Sequence, residues 1–127
     1  ELSPTGDVTG NRGGTPLPGI EREAWTPEHL VLAGLVRCSL TSLGFHAERS
    51  GLTVASSAKA AGLVTRRDSD GRFAFVEITV TADVTVTPEP EAASLTELLR
   101  KAERDCFVGA SLSISPTYVW TVNGRRQ

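Results

Sequence analysis

The sequence predicts an α+β fold with antiparallel strand pairing, and three observations predict it. Residues 26–50 form an apolar segment that opens with helix-start chemistry. The run "RFAFVEITVTADVTVT" alternates with a period of two, and "PEPEAASLTELLRKAERDC" returns to helical spacing. At 127 residues the chain suits a single domain over 1–127. Apolar content of 39%, charged content of 22% and net charge −2 are globular values. Without clustered positive charge, nucleic acid and anionic membrane surfaces are not expected partners. The longest apolar run, 30–36, is broken by Arg37 and falls short of the roughly 20 residues that span a bilayer. A cytoplasmic location is expected, and a chain that begins at Glu1 without Met is expected to lack its native start.

Residues 1–25 are dense in Gly and Pro, with "GNRGGTPLPG" the richest cluster, and read as short strands and loops. Thr26 has the chemistry of an N-cap, with Pro27 at the first helical position and Glu28 favouring the positive end of the helix dipole. Trp25 and Leu30 have the spacing of a hydrophobic staple. The first helix is expected over 26–50, ended by Gly51 in the left-handed conformation. Its apolar residues between Leu30 and Leu43 lie on nearly every side, so its middle must be covered all round.

A β-hairpin follows over 52–87, turned at "DSDG". Strict alternation would place Phe73, Phe75, Glu77, Thr79 and Thr81 on one face, and Ala74, Val76, Ile78, Val80 and Ala82 on the other. A second helix over 90–110 carries Leu95, Leu98, Leu99, Ala102 and Cys106 on one stripe, so Cys106 should face inward. The last strand, 117–124, ends in an Asn-Gly turn signal.

The two cysteines, Cys38 and Cys106, are too far apart in sequence for a CxxC or zinc-ribbon motif. His29 and His46 lack metal-ligand spacing and suit surface or capping roles, so neither metal nor organic cofactor is expected. If the two apolar helices pack, their cysteines can approach each other. Buried Cys commonly acts as an inert small hydrophobe, and that reading stands beside a reactive pair. Reactivity at Cys38 requires a cation, because only the thiolate attacks. Arg37 is adjacent, yet neighbours on a helix point about 100° apart, so the cation should come from elsewhere.

The segments "TPEHLVLAGLVRCSLTSL", "KAERDC" and "TYVWTVNG" resemble the OsmC and Ohr family of bacterial thiol peroxidases over roughly residues 25–124. In that family a helix beginning with Pro-Glu carries a peroxidatic cysteine ten positions after the Glu, and a second helix carries a resolving cysteine after Ala-Glu. Glu28 with Cys38, and "AERDC" at 102–106, keep both spacings. The resemblance implies an OsmC-like fold, with antiparallel sheets around two long helices in an intertwined homodimer. It implies a thiol-dependent peroxidase, reducing organic hydroperoxides and hydrogen peroxide in oxidative stress defence. Cys38 would become a sulfenic acid, Cys106 would condense with it to a disulfide, and a dithiol reductant, lipoyl or small-molecule, would restore both. Glu28 would orient an arginine that holds the thiolate and the peroxide. Arg22 sits where the OsmC-like branch has that arginine, and Arg12 in "GNRGG" resembles the Ohr arrangement. Ten positions at 1.5 Å rise separate Glu28 from Cys38 by roughly 15 Å, so Glu28 would serve a cysteine of the partner subunit. Cys106 is followed by Phe107, Val108 and Gly109, where Ohr proteins have Pro and a polar or aromatic pair, which places the chain in the broader OsmC-like group.

Two other readings compete. An OsmC-fold dimer could bind a hydrophobic small molecule in an interface cavity lined by Leu35, Phe45 and Phe107, with the cysteines as bystanders. The chain could also be a structural dimerisation domain with neither activity.

Overall fold

Thr26 does cap the first helix: its Oγ1 accepts the His29 backbone N–H at 3.2 Å, and the same hydroxyl lies 2.6 Å from His29 Nδ1. The computed structural model describes residues 26–127. The chain falls into two compact units, Glu1–Leu30 and Val31–Gln127, of which the first is described only from Thr26. The strands expected over 1–25, Trp25 of the staple, and both Arg12 and Arg22 lie outside the described residues.

Helix α1 spans Pro27–Arg49. It ends because Gly51 takes φ 73°, a left-handed value that costs a residue without a Cβ little. The Leu52 N–H then reaches Ala47 O at 2.9 Å and the Gly51 N–H reaches Glu48 O at 3.0 Å, the paired bonds of a Schellman cap. Strands β1, Thr53–Arg66, and β2, Phe73–Thr87, form a long antiparallel hairpin. Helices α2, Ala92–Arg104, and α3, Phe107–Ala110, lead to β3, Thr117–Val122, and the short β4, Arg125–Arg126.

The sheet order is β1-β2-β3-β4, and it is mixed. β3 runs parallel to β2, which corrects the expectation of purely antiparallel pairing. The cause is the connection: the chain crosses through two helices between these strands, and such a crossover delivers the next strand in the same direction. β4 returns antiparallel through Asn123-Gly124, whose φ values of 51° and 78° are those of a tight two-residue hairpin turn.

Two further expectations need correction. The helix expected over 90–110 breaks at Asp105 and Cys106, where the Cys106 backbone turns extended (φ −74°, ψ 98°) and α3 starts afresh. Apolar spacing continues from Leu95 through Cys106, so periodicity could not register the break. In β2 the register shifts opposite Leu63 and Val64, leaving Val76 without a partner. That bulge reverses the facing of what precedes it, so Phe75 packs inward with Ile78 while Val76 is exposed.

Among the described residues the core has two parts. Leu43 and Ala47 of α1, Leu95, Leu98, Leu99 and Ala102 of α2, and Ala82, Val84, Val86, Trp120 and Val122 of the sheet form the larger. The smaller joins Leu35, Cys38, Ile78, Val80 and Cys106. Among the described residues α1 is not covered all round: its buried residues are Leu35, Cys38, Ser39, Ser42, Leu43 and Ala47, and Phe45 remains 55% exposed. By length and composition α1 is also apolar enough to cross a bilayer, although its longest unbroken apolar run ends at Arg37. Only 33% of its most apolar stretch is buried.

Candidate functional site

The break between α2 and α3 is what builds the site. It turns Cys106 off the α2 stripe and makes it the N-cap of α3, its Sγ accepting the Gly109 N–H at 3.5 Å. Cys106 is fully buried, and Cys38 is 9% exposed. The two thiols are free and lie in one buried cluster, where each influences the ionisation of the other. Both sit in the smaller core cluster, with Val80 and Leu35 beneath them.

Cys38 also lines an apolar hollow of about 520 Å³, walled by Phe45, Phe107 and Val108, with Arg37, Ser42 and His46 at its polar points. Phe107 is 74% exposed, an unusual position for an aromatic ring. The Ser42 hydroxyl, one turn beyond Cys38, is buried and has no hydrogen-bond partner among the described residues. Leu35 does not line this hollow as expected; it is wholly buried under Gly109, so only Phe45 and Phe107 of the expected apolar trio reach the surface. Arg37, expected to point away from Cys38, shares the hollow with it.

The two sulfurs have different surroundings. Burial pushes the Cys38 thiol up, opposed by the backbone N–H of Val108 and, more weakly, of Phe107; the neighbouring Cys106 pushes it up further, and the net direction is up. For Cys106 burial is again the largest influence and pushes up. The Ser39 hydroxyl and the Gly109 N–H, which donate to the sulfur, together with Cys38 and the nearby Tyr118 hydroxyl outweigh it, so Cys106 is lowered. Among the described residues, no cation accounts for either shift.

Ser39 and Tyr118 were not expected in the site. Ser39 Oγ lies 2.8 Å from Leu35 O, 2.8 Å from the Tyr118 hydroxyl and 3.5 Å from Cys106 Sγ. Ser39 lies one turn beyond Leu35 on the buried side of α1, which is the only sequence signal that could have singled it out. Tyr118 stacks on Trp120 at 5.6 Å, and burial pushes its phenol up to about 12. Trp120 Nε1 donates to Glu103 at 2.8 Å.

Of the remaining sequence candidates, Glu28 is exposed in the first turn of α1. His29 serves the N-cap, as expected. His46 meets Asp105, at 2.7 Å. No cluster of metal-ligating side chains occurs among the described residues.

A family model described as OsmC-like protein matches residues 20–121. Among curated proteins no sequence matches. Solved structures share the fold. An OsmC-like protein of unknown function from Vibrio cholerae superposes with a TM-score of 0.67 at 20% identity, over 74% of this chain and 62% of that one. An OsmC-like protein from Mycoplasma pneumoniae gives 0.67 at 17% identity, over 84% of this chain and 77% of that one. The organic hydroperoxide resistance protein OhrB of Bacillus subtilis gives 0.57 at 21% identity, over 94% and 93%. The chain thus spans less than two thirds of the Vibrio protein's length and nearly all of the Bacillus protein's.

Proposed function

The chain belongs to the OsmC-like protein family, and from that premise we propose that it is a cysteine-based peroxidase that reduces organic hydroperoxides, and hydrogen peroxide, in oxidative stress defence in the cytoplasm. The observation that carries this reading is the convergence of Cys38 and Cys106 as free thiols in one buried cluster, with Cys38 at the wall of an apolar hollow. Nothing about inert packing requires two thiols to converge from positions so distant in sequence, nor one of them to face an open apolar surface.

A hydroperoxide with an apolar body settles against Phe45, Phe107 and Val108, and its O–O bond meets the Cys38 sulfur. The thiolate attacks one oxygen, the O–O bond breaks, and the alcohol leaves as it takes a proton. Cys38 is left as a sulfenic acid. The Cys106 sulfur then attacks the Cys38 sulfur; the S–O bond breaks, water leaves and a disulfide forms. A dithiol, lipoyl or small-molecule, returns both thiols. The protein itself supplies the redox groups, so the reaction calls for no metal or organic cofactor.

Cys38 needs help to ionise, because its net shift is upward. The Val108 and Phe107 N–H groups give part of it. A guanidinium would give the rest, and Arg22, with Arg12 as the alternative, is the proposed source. Glu28 of a partner subunit would orient that arginine. A homodimer also suits the incomplete cover of α1, since Phe45 and Phe107 would pack against the second copy.

The test is stopped-flow consumption of cumene hydroperoxide with a dithiol reductant. Turnover that Cys38→Ser abolishes supports the reading; an unchanged rate in that variant overturns it. One observation favours a second reading, a dimer that binds a hydrophobic small molecule without turning it over: burial pushes the Cys38 thiol up, toward its neutral form. Slow alkylation of Cys38 at neutral pH in the full-length protein would favour that reading over peroxide chemistry.

A further inference from the structure

Cys106 has no solvent contact, yet an attacking thiol must carry charge at the moment it reacts. The surroundings that permit this are two hydroxyls. The Ser39 hydroxyl has one proton and three acceptors within reach: Leu35 O and the Tyr118 oxygen at 2.8 Å, and Cys106 Sγ at 3.5 Å. With Cys106 neutral, the Leu35 carbonyl is the strongest of these acceptors. Once Cys106 is a thiolate, the sulfur becomes the strongest, and a rotation about one bond brings the proton to it. The Tyr118 O–H then donates into the oxygen of Ser39, so the chain of hydroxyls is polarised toward the sulfur.

We propose that Ser39 and Tyr118 form a two-hydroxyl relay that holds Cys106 as the attacking thiolate in disulfide formation, Ser39 by contact with the sulfur and Tyr118 as a positioning residue behind it. This rests on the peroxidase reading for its place in the reaction. The relay serves a balanced step: the Cys106 thiolate supplies an electron pair to the Cys38 sulfenic sulfur, the S–S bond forms, the S–O bond breaks, and the departing hydroxide leaves as water after taking a proton. Cys106 is oxidised and Cys38 reduced, the oxidising equivalent having come from the hydroperoxide.

The groups facing Cys106 are few. They are Cys38 and Ser39 from α1, Tyr118 from β3 and the Gly109 N–H from α3; Ile78 and Val80 of β2 are apolar. Glu103 of α2 acts on Tyr118 and holds its own contact with Trp120. Tyr118 stays a donor through the whole physiological range, because burial pushes its phenol up to about 12.

The test needs no peroxide in its first arm. In the Cys38→Ser protein Cys106 is the one remaining thiol and Tyr118 the one tyrosine, so ultraviolet thiolate absorbance reports Cys106 alone. Adding Ser39→Ala should raise its titration midpoint by about one pH unit, and Tyr118→Phe, which keeps the stack on Trp120, should raise it by less. In the second arm both cysteines are present, and rapid-quench mass spectrometry follows the disulfide. Ser39→Ala should slow its formation about 10-fold at neutral pH and recover at a pH that ionises Cys106 without help. An unmoved midpoint in both hydroxyl variants overturns the relay, as does a slowing that persists at high pH. If hydroperoxide yields no sulfenic acid in the unsubstituted protein, the peroxidase reading fails while the titration still decides the relay.

Discussion

His46 Nε2 lies 2.7 Å from Asp105 Oδ2, joining the last turns of α1 to the residue immediately before Cys106. The hydrogen bonds of Arg104 are the main cause that holds the Asp105 carboxyl well below the usual carboxylate range, with His46 adding to them. A carboxyl lowered in the folded state contributes stability above its unfolded value, near pH 4, and loses it as the pH falls toward the folded value. Asp105→Asn should therefore lower Tm at neutral pH, with the difference from the unsubstituted protein shrinking below about pH 4. Thermal melts across that range check it; a constant difference would mean that the contact does not depend on the carboxylate charge.

Gly62 should not tolerate a side chain. A Cβ there would stand 2.8 Å from the Phe75 ring and 3.3 Å from Leu32 Cδ2, and the ring is fixed in the smaller core. Gly62→Ala should cost about 1–3 kcal/mol in urea unfolding, through displacement of Phe75.

The Phe75 contact also shows where the sequence was readable and where it was not. Local chemistry was legible: Thr26, Pro27 and Gly51 bounded the first helix, "DSDG" marked the hairpin turn and Asn123-Gly124 the last one. So was the convergence of Cys38 and Cys106, because both lay on apolar helical positions. Facing in β2 was misread before Val76 because a bulge leaves no mark on alternation. The helix break at Cys106 was hidden for a similar reason: a sulfur acting as N-cap acceptor keeps an apolar identity at an apolar position. The parallel β2–β3 pair depends on where the crossover lands, and Ser39 with Tyr118 depends on it in turn, since β3 carries the tyrosine.

Asn123 should matter more than its place in a two-residue turn suggests. Its side chain accepts the Val86 N–H at 2.9 Å and donates to Val86 O at 3.3 Å, continuing the β2 ladder beyond the end of β3. It does so from φ 51°, a conformation that suits Asn better than most residues. Asn123→Ala should cost about 1–3 kcal/mol and Asn123→Asp less, measured by chemical denaturation.

The two cysteines should fail differently. Cys106→Ser should still react once with hydroperoxide at Cys38, then accumulate sulfinic acid there, because no neighbouring thiol captures the sulfenic acid. Intact mass after peroxide checks this. An unchanged mass in Cys106→Ser would contradict the assignment of Cys38 as the thiol that reacts first.

Phe107, at 74% exposure, and Phe45, at 55%, should report on self-association. Phe107→Glu or Phe45→Glu should shift a homodimer toward monomer in sedimentation velocity, by placing charge on a face proposed to be dry. If both variants sediment as the unsubstituted protein does, the proposed dimer does not use this face.

The parallel stack of Trp120 on Tyr118, 5.6 Å between ring centres and 6° from coplanar, has an optical consequence. The indole is one ring away from the hydroxyl that touches Ser39, and its N–H is anchored on Glu103. Trp25 is the only other indole in the chain. Once Trp25 is replaced, emission from Trp120 becomes a label-free fluorescent signal of the charge state around Cys106, readable in real time without a dye and without opening the core.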